Sequence, residues 1–328
     1  MDRLLLRLLP RFLAAACLLA TGAALAQAPA WPAKPIRVIM TLGAGGGAEP
    51  LGRLVGQKLG EVLGQPIVFE AQGGAGGAIG AAMIAKAPPD GYTLGFSTPS
   101  SLVLRKFLAK SVPYDTLRDF TPVILVGETM AAIVASSALP VNTLAELIEY
   151  ARRNPGKINY GTTGIGTTHH LSGVLIEQLT GIQIVHVPYK SGGDTINALL
   201  GGQVQVLFGV LGTMIPQMKT GKVKLLAING GKRFYRMPEV PIVSEVIKGY
   251  DRPPSWVAYV GPAGLPQPIV RRLYEEINRI VTQPEVSARF EDGGILVDTA
   301  TPEQFAGFLR DNFELTGRIM KAAKIEPE

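Results

Sequence analysis

Apolar positions along this chain recur in two alternating rhythms. Residues 36–40 form an apolar run of strand length, and Leu51, Leu54, Val55, Leu59, Val62 and Leu63 then return at helical spacing. Pro50 suits the first turn of that helix and Gly64 its end. Residues 66–70 predict a second strand. A glycine cluster at 73–77 opens an alanine-rich helix that stops before Pro88-Pro89-Asp90-Gly91, and residues 92–96 predict a third strand. The middle repeats the scheme. Thr143 and Glu146 have capping-box spacing, with Leu144, Leu147, Ile148 and Ala151 behind them and Asn154-Pro155-Gly156 as the stop. Residues 158–160 predict a strand, and a glycine–threonine loop at 161–168 feeds a helix that ends at Gly181. Strands follow at 184–187, 203–208 and 223–228, and Ile269, Val270, Leu273, Ile277, Ile280 and Val281 mark a late amphipathic helix.

This alternation predicts an α/β fold with parallel sheets. Ligands of such sheets sit beyond the carboxyl ends of the strands. The loops at 43–49 and 161–168 both lie there. Glycines at a strand-to-helix turn leave backbone N–H groups bare at a helix N-terminus, which suits an anion. No short-period repeat, low-complexity tract or long charged tail interrupts the pattern.

The first residues break the rhythm and set the compartment. Arg3, Arg7 and Arg11 precede an apolar run at 12–20, and Ala24-Leu25-Ala26 has the small-x-small form of a cleavage site. Residues 1–26 therefore read as a secretory signal peptide cut after Ala26, and the protein as periplasmic. The apolar run is short for a membrane span. Cys17 is the only cysteine and would leave with the leader, so the exported chain has no disulfide, thiolate metal site or cysteine nucleophile. The leader holds three arginines and one aspartate, so its loss lowers the formal charge from +6 to +4. That mild excess fits an anionic ligand. No run of Lys or Arg points to nucleic acid.

Two enzymatic readings compete with simple binding. Gly43-x-Gly45-x-x-Ala48 fits a relaxed dinucleotide fingerprint, with Glu70 placed for a ribose. An exported chain is a poor home for a nicotinamide oxidoreductase. An exported hydrolase could use Thr167 or His170, but no Gly-x-Ser-x-Gly elbow is present. His169 and His170 are neighbours on a helix and point about 100° apart, so they do not easily share a metal. One is expected packed and one solvated, with His186 structural in its strand. Thr162, Thr163, Thr167 and Thr168 could cap their helix or donate to a carboxylate. No cofactor and no metal is expected.

A set of motifs then resembles one family. They are Trp31-Pro32-Ala33-Lys34-Pro35-Ile36, Gly45-Gly46-Gly47 with Arg53, Gly74-Ala75-Gly76-Gly77 with Ile79-Gly80-Ala81, Pro89-Asp90-Gly91-Tyr92-Thr93-Leu94 and Pro113-Tyr114-Asp115. Further along stand Pro155-Gly156-Lys157-Ile158-Asn159-Tyr160, His186-Val187-Pro188-Tyr189-Lys190, Gly201-Gly202-Gln203-Val204 and Thr301-Pro302-Glu303-Gln304-Phe305. In this order, across nearly the whole exported chain, they resemble the Bug family, the periplasmic solute receptors of tripartite tricarboxylate transporters.

The resemblance implies a type II periplasmic binding protein. Two α/β lobes flank a cleft, with hinge crossovers near 127–133 and 250–256. Lobe one is residues 27–127 plus 254–328, and lobe two is residues 128–253. It implies a monomer, not an enzyme, that captures a small organic acid and delivers it to membrane permease subunits. The carboxylate would lie between Gly45, Gly46, Gly47 and Ala48 of one lobe and Thr162, Gly166, Thr167 and Thr168 of the other. Ser97 and Thr98 match a segment facing the same cleft, and Gly209 follows the strand at 203–208. Three places depart from the family. Ala48-Glu49 replaces the common Thr-Asp, Gly209-Val210 replaces the common Asp-Asn, and Gly43 and Ala44 stand where prolines usually do. Polar groups have left the expected pocket. A ligand whose far end is less polar than a short dicarboxylate, such as an aromatic or larger monoacid, is therefore expected.

Overall fold

The computed structural model describes residues 31–42 and 48–322, with 325 and 327. The expected leader and Gly45, Gly46 and Gly47 lie outside the described residues. Among those described, no helix is long and apolar enough to cross a membrane.

Residues 34–328 hold two mixed sheets. The first contains β1 (Ile36–Met40), β2 (Ile67–Ala71), β3 (Thr93–Ser97), β4 (Phe120–Thr129), β10 (Trp256–Pro262) and β11 (Ile295–Ala300), in the order β11-β4-β10-β3-β1-β2. The second contains β5 (Ala131–Ser136), β6 (Asn159–Thr162), β7 (Val185–Pro188), β8 (Val206–Val210) and β9 (Val223–Asn229), in the order β7-β6-β8-β5-β9. This is a two-lobed α/β fold, one sheet to each lobe.

The strands read from alternation form the parallel parts. β1 pairs parallel with β2 and β3, and β6 with β7 and β8. The sheets are mixed, where the alternation of strands and helices predicts parallel ones. β10 runs antiparallel between β3 and β4, β11 antiparallel to β4, and β5 antiparallel to β8 and β9. A parallel neighbour needs a helical crossover of a dozen or more residues. Only Met130 separates β4 from β5, and there the chain leaves one sheet for the other. It returns between Asn229, the end of β9, and Trp256, the start of β10.

Helix boundaries follow local chemistry. Thr143 caps the helix Leu144–Arg153 by accepting from the Glu146 N–H, and the Glu146 carboxylate accepts from the Asn142 N–H at 2.6 Å. Thr167 caps Thr168–Thr180 by accepting from the His170 N–H, and Ser191 caps Gly192–Leu200 by accepting from the Asp194 N–H. Glu49–Leu63 has Pro50 in its first turn and ends on Gly64 in the left-handed region.

Two glycines allow close approach around the cleft. Gly77 has φ of +91°, and a Cβ there would lie 2.3 Å from the Thr41 carbonyl oxygen and 2.7 Å from Ser101 Cβ. Gly212, at the start of the helix Leu211–Lys219, meets Gly293 so closely that a Cβ would lie 2.2 Å from its carbonyl carbon. This second contact joins the lobes beside the Met130 crossing. There the Met130 N–H donates to the Gly294 carbonyl at 2.7 Å, and the Met130 carbonyl accepts from the Leu211 N–H at 2.8 Å. Arg236 pairs with Asp292 at 2.8 Å, and the Tyr235 hydroxyl bonds to Glu291 nearby.

Candidate functional site

The carboxyl ends of all six strands in the two parallel parts point at one cavity. Its volume is about 150 Å³. At about 10–15 Å³ for each water position, that admits a small organic molecule. Thr41 and Leu42 follow β1, Gly73 and Gly76 follow β2, and Thr98 and Ser100 follow β3. From the second lobe, Thr163 follows β6, Lys190 follows β7 and Val210 ends β8. Thr129 and Trp256, at the crossings, also line it.

Three helix N-termini border the cavity: Ala48 before Glu49–Leu63, Thr167 to His169 at the head of Thr168–Thr180, and Ser191 with Gly192 at the head of Gly192–Leu200. Each adds positive potential from its helix dipole. In the second of these, the cap takes the His170 N–H, and the Thr168 N–H donates to Ser100 Oγ across the lobes at 3.4 Å. The His169 N–H has no partner among the described residues. Lys190 is the one fully charged side chain on the described wall, it makes no ion pair there, and no carboxylate lines the cavity. Leu42, Pro99, Val210, Trp256 and Val257 supply the apolar part. The wall is thus rich in donors and poor in acceptors of negative sign.

Of the residues expected at the site, Ala48, Thr98, Thr167 and Thr168 lie on this wall. Ser97 does not. It is fully buried in β3, with its hydroxyl sealed and unpartnered. Thr162 is buried behind the wall, where its hydroxyl meets His186 Nε2 at 2.7 Å and accepts from the Gly164 N–H at 3.2 Å. Gly166 has φ of +78° and packs on the Arg105 side chain. Gly209 sits among Leu207 and Met214, one residue before Val210. Thr168 has a second task, because its hydroxyl donates to the Pro254 carbonyl of the returning crossover at 2.9 Å.

The sequence reading missed Thr41, Gly76, Ser100, His169, Lys190 and Ser191. The rule applied to the 43–49 and 161–168 loops, carboxyl strand end followed by helix, also covers 189–192 and 73–77 and could have found most of them.

The histidines differ from expectation. Neither His169 nor His170 is solvated; both are half-buried, on different faces of one helix turn. His169 reaches the cavity, and its burial pushes the pKa down to about 4. His170 stacks on His186, whose pKa falls to about 4 through burial and then through the neighbouring His170. No cluster of three His, Cys, Asp or Glu that could hold a metal occurs among the described residues.

The geometry can be set beside known proteins. The family model described as the tripartite tricarboxylate transporter family receptor matches residues 51–325. The chain is 32% identical to the protein BugT of Bordetella pertussis, over 91% of this chain and 92% of that one. Among solved structures, Rpa4515 of R. palustris with adipate superposes with a TM-score of 0.86 at 29% identity, covering 91% of this chain and 100% of the other. MatC from Rhodopseudomonas palustris with bound malate gives a TM-score of 0.81 at 28% identity, covering 88% of this chain and 99% of the other.

Proposed function

The chain belongs to the tripartite tricarboxylate transporter receptor family, and from that premise we propose that it is a periplasmic receptor that captures a small organic carboxylate between its lobes. The observation that carries this reading is the unpartnered His169 N–H at the head of a 13-residue helix, on a wall with one lysine and no acid. A carboxylate seated there gains charge-assisted hydrogen bonds, about twice as strong as neutral ones, and a helix-dipole contribution of about 0.3–1 kcal/mol. The adipate and malate held by two similar proteins belong to the same chemical class.

In this reading Gly45, Gly46, Gly47 and Ala48 offer the seat in lobe one, residues 27–127 with 254–328. Thr167, Thr168 and the free N–H offer it in lobe two, residues 128–253. The crossings at Met130 and before Trp256 act as hinges. Closure on the acid presents the face that membrane permease subunits recognise, and no bond is broken. The protein acts as a monomer, exported by a leader cut after Ala26.

Thermal-shift screening of the purified protein against organic acids, followed by calorimetric titration, tests the proposal. One or more carboxylates should bind saturably, raise Tm in proportion to ln(1 + [L]/Kd), and be recovered unchanged. Gly46→Asp places a charge and a side chain in the seat and should abolish binding with the melting curve retained. Turnover of a bound acid, or a panel without a single Tm shift, refutes the reading.

A further inference from the structure

His169 is the second residue of the helix Thr168–Thr180 and lies on the cavity wall. A side chain in a first helical turn leans back toward the N-terminus. The ring therefore stands over the turn that carries its own unpartnered N–H. Its two nitrogens have different surroundings. Nδ1 is sealed from solvent and has no hydrogen-bond partner. Nε2 is not sealed, and no hydrogen bond among the described residues uses it.

A neutral imidazole has one N–H and one bare lone pair. A buried N–H without a partner is rarer in folded proteins than an under-satisfied acceptor, because the donor has only one way to be satisfied. The sealed Nδ1 therefore keeps the lone pair, and the proton sits on Nε2, on the accessible side. Burial holds the ring neutral at pH 7, with its pKa pushed down to about 4. No carboxylate on the described wall is there to accept the Nε2–H.

We propose that His169 is a ligand-contacting residue of this cleft, its Nε2–H donating to an oxygen of the captured acid beside the backbone N–H of the same turn. This assignment rests on the carboxylate reading of the cleft and adds a neutral, directional donor to it. The ring recognises oxygen by geometry and adds no net charge to the open cleft.

Glutamine and asparagine separate the two nitrogens, since a Gln side-chain amide reaches the Nε2 position and an Asn amide the Nδ1 position. Wild type, His169→Gln, His169→Asn and His169→Leu are titrated calorimetrically with adipate, malate and benzoate. For each acid that binds wild type, Leu and Asn should weaken Kd by about 10- to 100-fold, the worth of a hydrogen bond to a charged group. Gln should stay within about fivefold of wild type. Leu binding as tightly as wild type, or Asn rescuing where Gln does not, overturns the assignment and leaves the receptor reading standing. Should Leu fail to fold, the Gln and Asn pair decides. If neither these three nor any acid of the thermal-shift panel binds wild type, the carboxylate reading fails, and the role of His169 fails with it.

Discussion

The rings of His170 and His186 stack, with centroids 4.2 Å apart and planes 28° from parallel. His186 Nε2 holds Thr162, and His170 Nδ1 accepts from the Gly166 N–H at 3.4 Å, so the pair braces the loop that caps the cavity helix. Tyr160 also packs against His186, with ring centroids 5.0 Å apart. The folded-state pKa values of His169 and His186 lie near 4, below the usual 6.5. Between those values the unfolded chain binds more protons than the folded one, so stability rises with pH. It is complete above about pH 6.5 and is lost as pH falls toward 4. Glu177, raised by burial, works in the opposite direction. After allowance for partial exposure the histidines contribute on the order of 1–2 kcal/mol, so Tm should fall by roughly 3–6 °C from pH 7 to pH 4.5. In His186→Phe, which keeps a ring but cannot titrate, melting curves should show a clearly shallower pH dependence. An unaltered slope would remove His186 from the account.

Gly77 makes a sharper demand on the backbone. Its φ of +91° and the Thr41 oxygen 2.3 Å from a Cβ leave no room for alanine. The obstacles are a carbonyl and the base of Ser101, which cannot swing aside. Gly77→Ala should cost about 2–4 kcal/mol in urea unfolding through strain and overpacking together. It should also displace Gly76 from the cavity wall. A loss below about 0.5 kcal/mol, the range of ordinary surface substitutions, would mean that this approach is looser than described.

Thr168 separates a structural role from a binding one. Its hydroxyl is committed to the Pro254 carbonyl, while its backbone stands at the helix head. Thr168→Val leaves that carbonyl buried without a partner, which costs about 1–3 kcal/mol. Thr168→Ser keeps the bond and should stay near wild type. Denaturant unfolding of the two variants checks the difference. Equal stability would show that water replaces the hydroxyl, and that the hydroxyl does not fasten the crossover.

Much of this was legible in the residues. The spacing of Leu51, Val55 and Leu59, the cap at Thr143 and the left-handed Gly64 and Gly181 are local signals, and local chemistry decides them. The antiparallel strands were not legible. Only Met130, itself apolar, stands between β4 and β5, and periodicity cannot tell that the chain changes sheets there. At the site, strand-end glycines and helix caps marked Ala48, Thr167 and Thr168. They also marked Thr162 and Gly166, which brace the wall from behind. Which face of a turn meets the cavity depends on the opposing lobe, and no local pattern encodes that. His169 was missed for the same reason.

The apolar wall bears on ligand choice. Val210 ends β8 on the cavity, where the resemblance leads one to expect an amide, and Leu42, Pro99 and Trp256 line the same space. Val210 cannot hydrogen-bond a second carboxylate or a hydroxyl, and an unpaired buried polar group costs about 1–3 kcal/mol. Wild type should therefore bind benzoate, whose far end is apolar, more tightly than malate or adipate, each of which carries a second carboxylate. Val210→Asn returns a donor and an acceptor to the wall and should improve malate binding by about tenfold, or 1.4 kcal/mol, while weakening benzoate. Calorimetric titration of both proteins with the three acids measures the exchange. Malate binding wild type more tightly than benzoate would mean that donors elsewhere on the wall, Lys190 first among them, satisfy its second carboxylate despite the apolar surface.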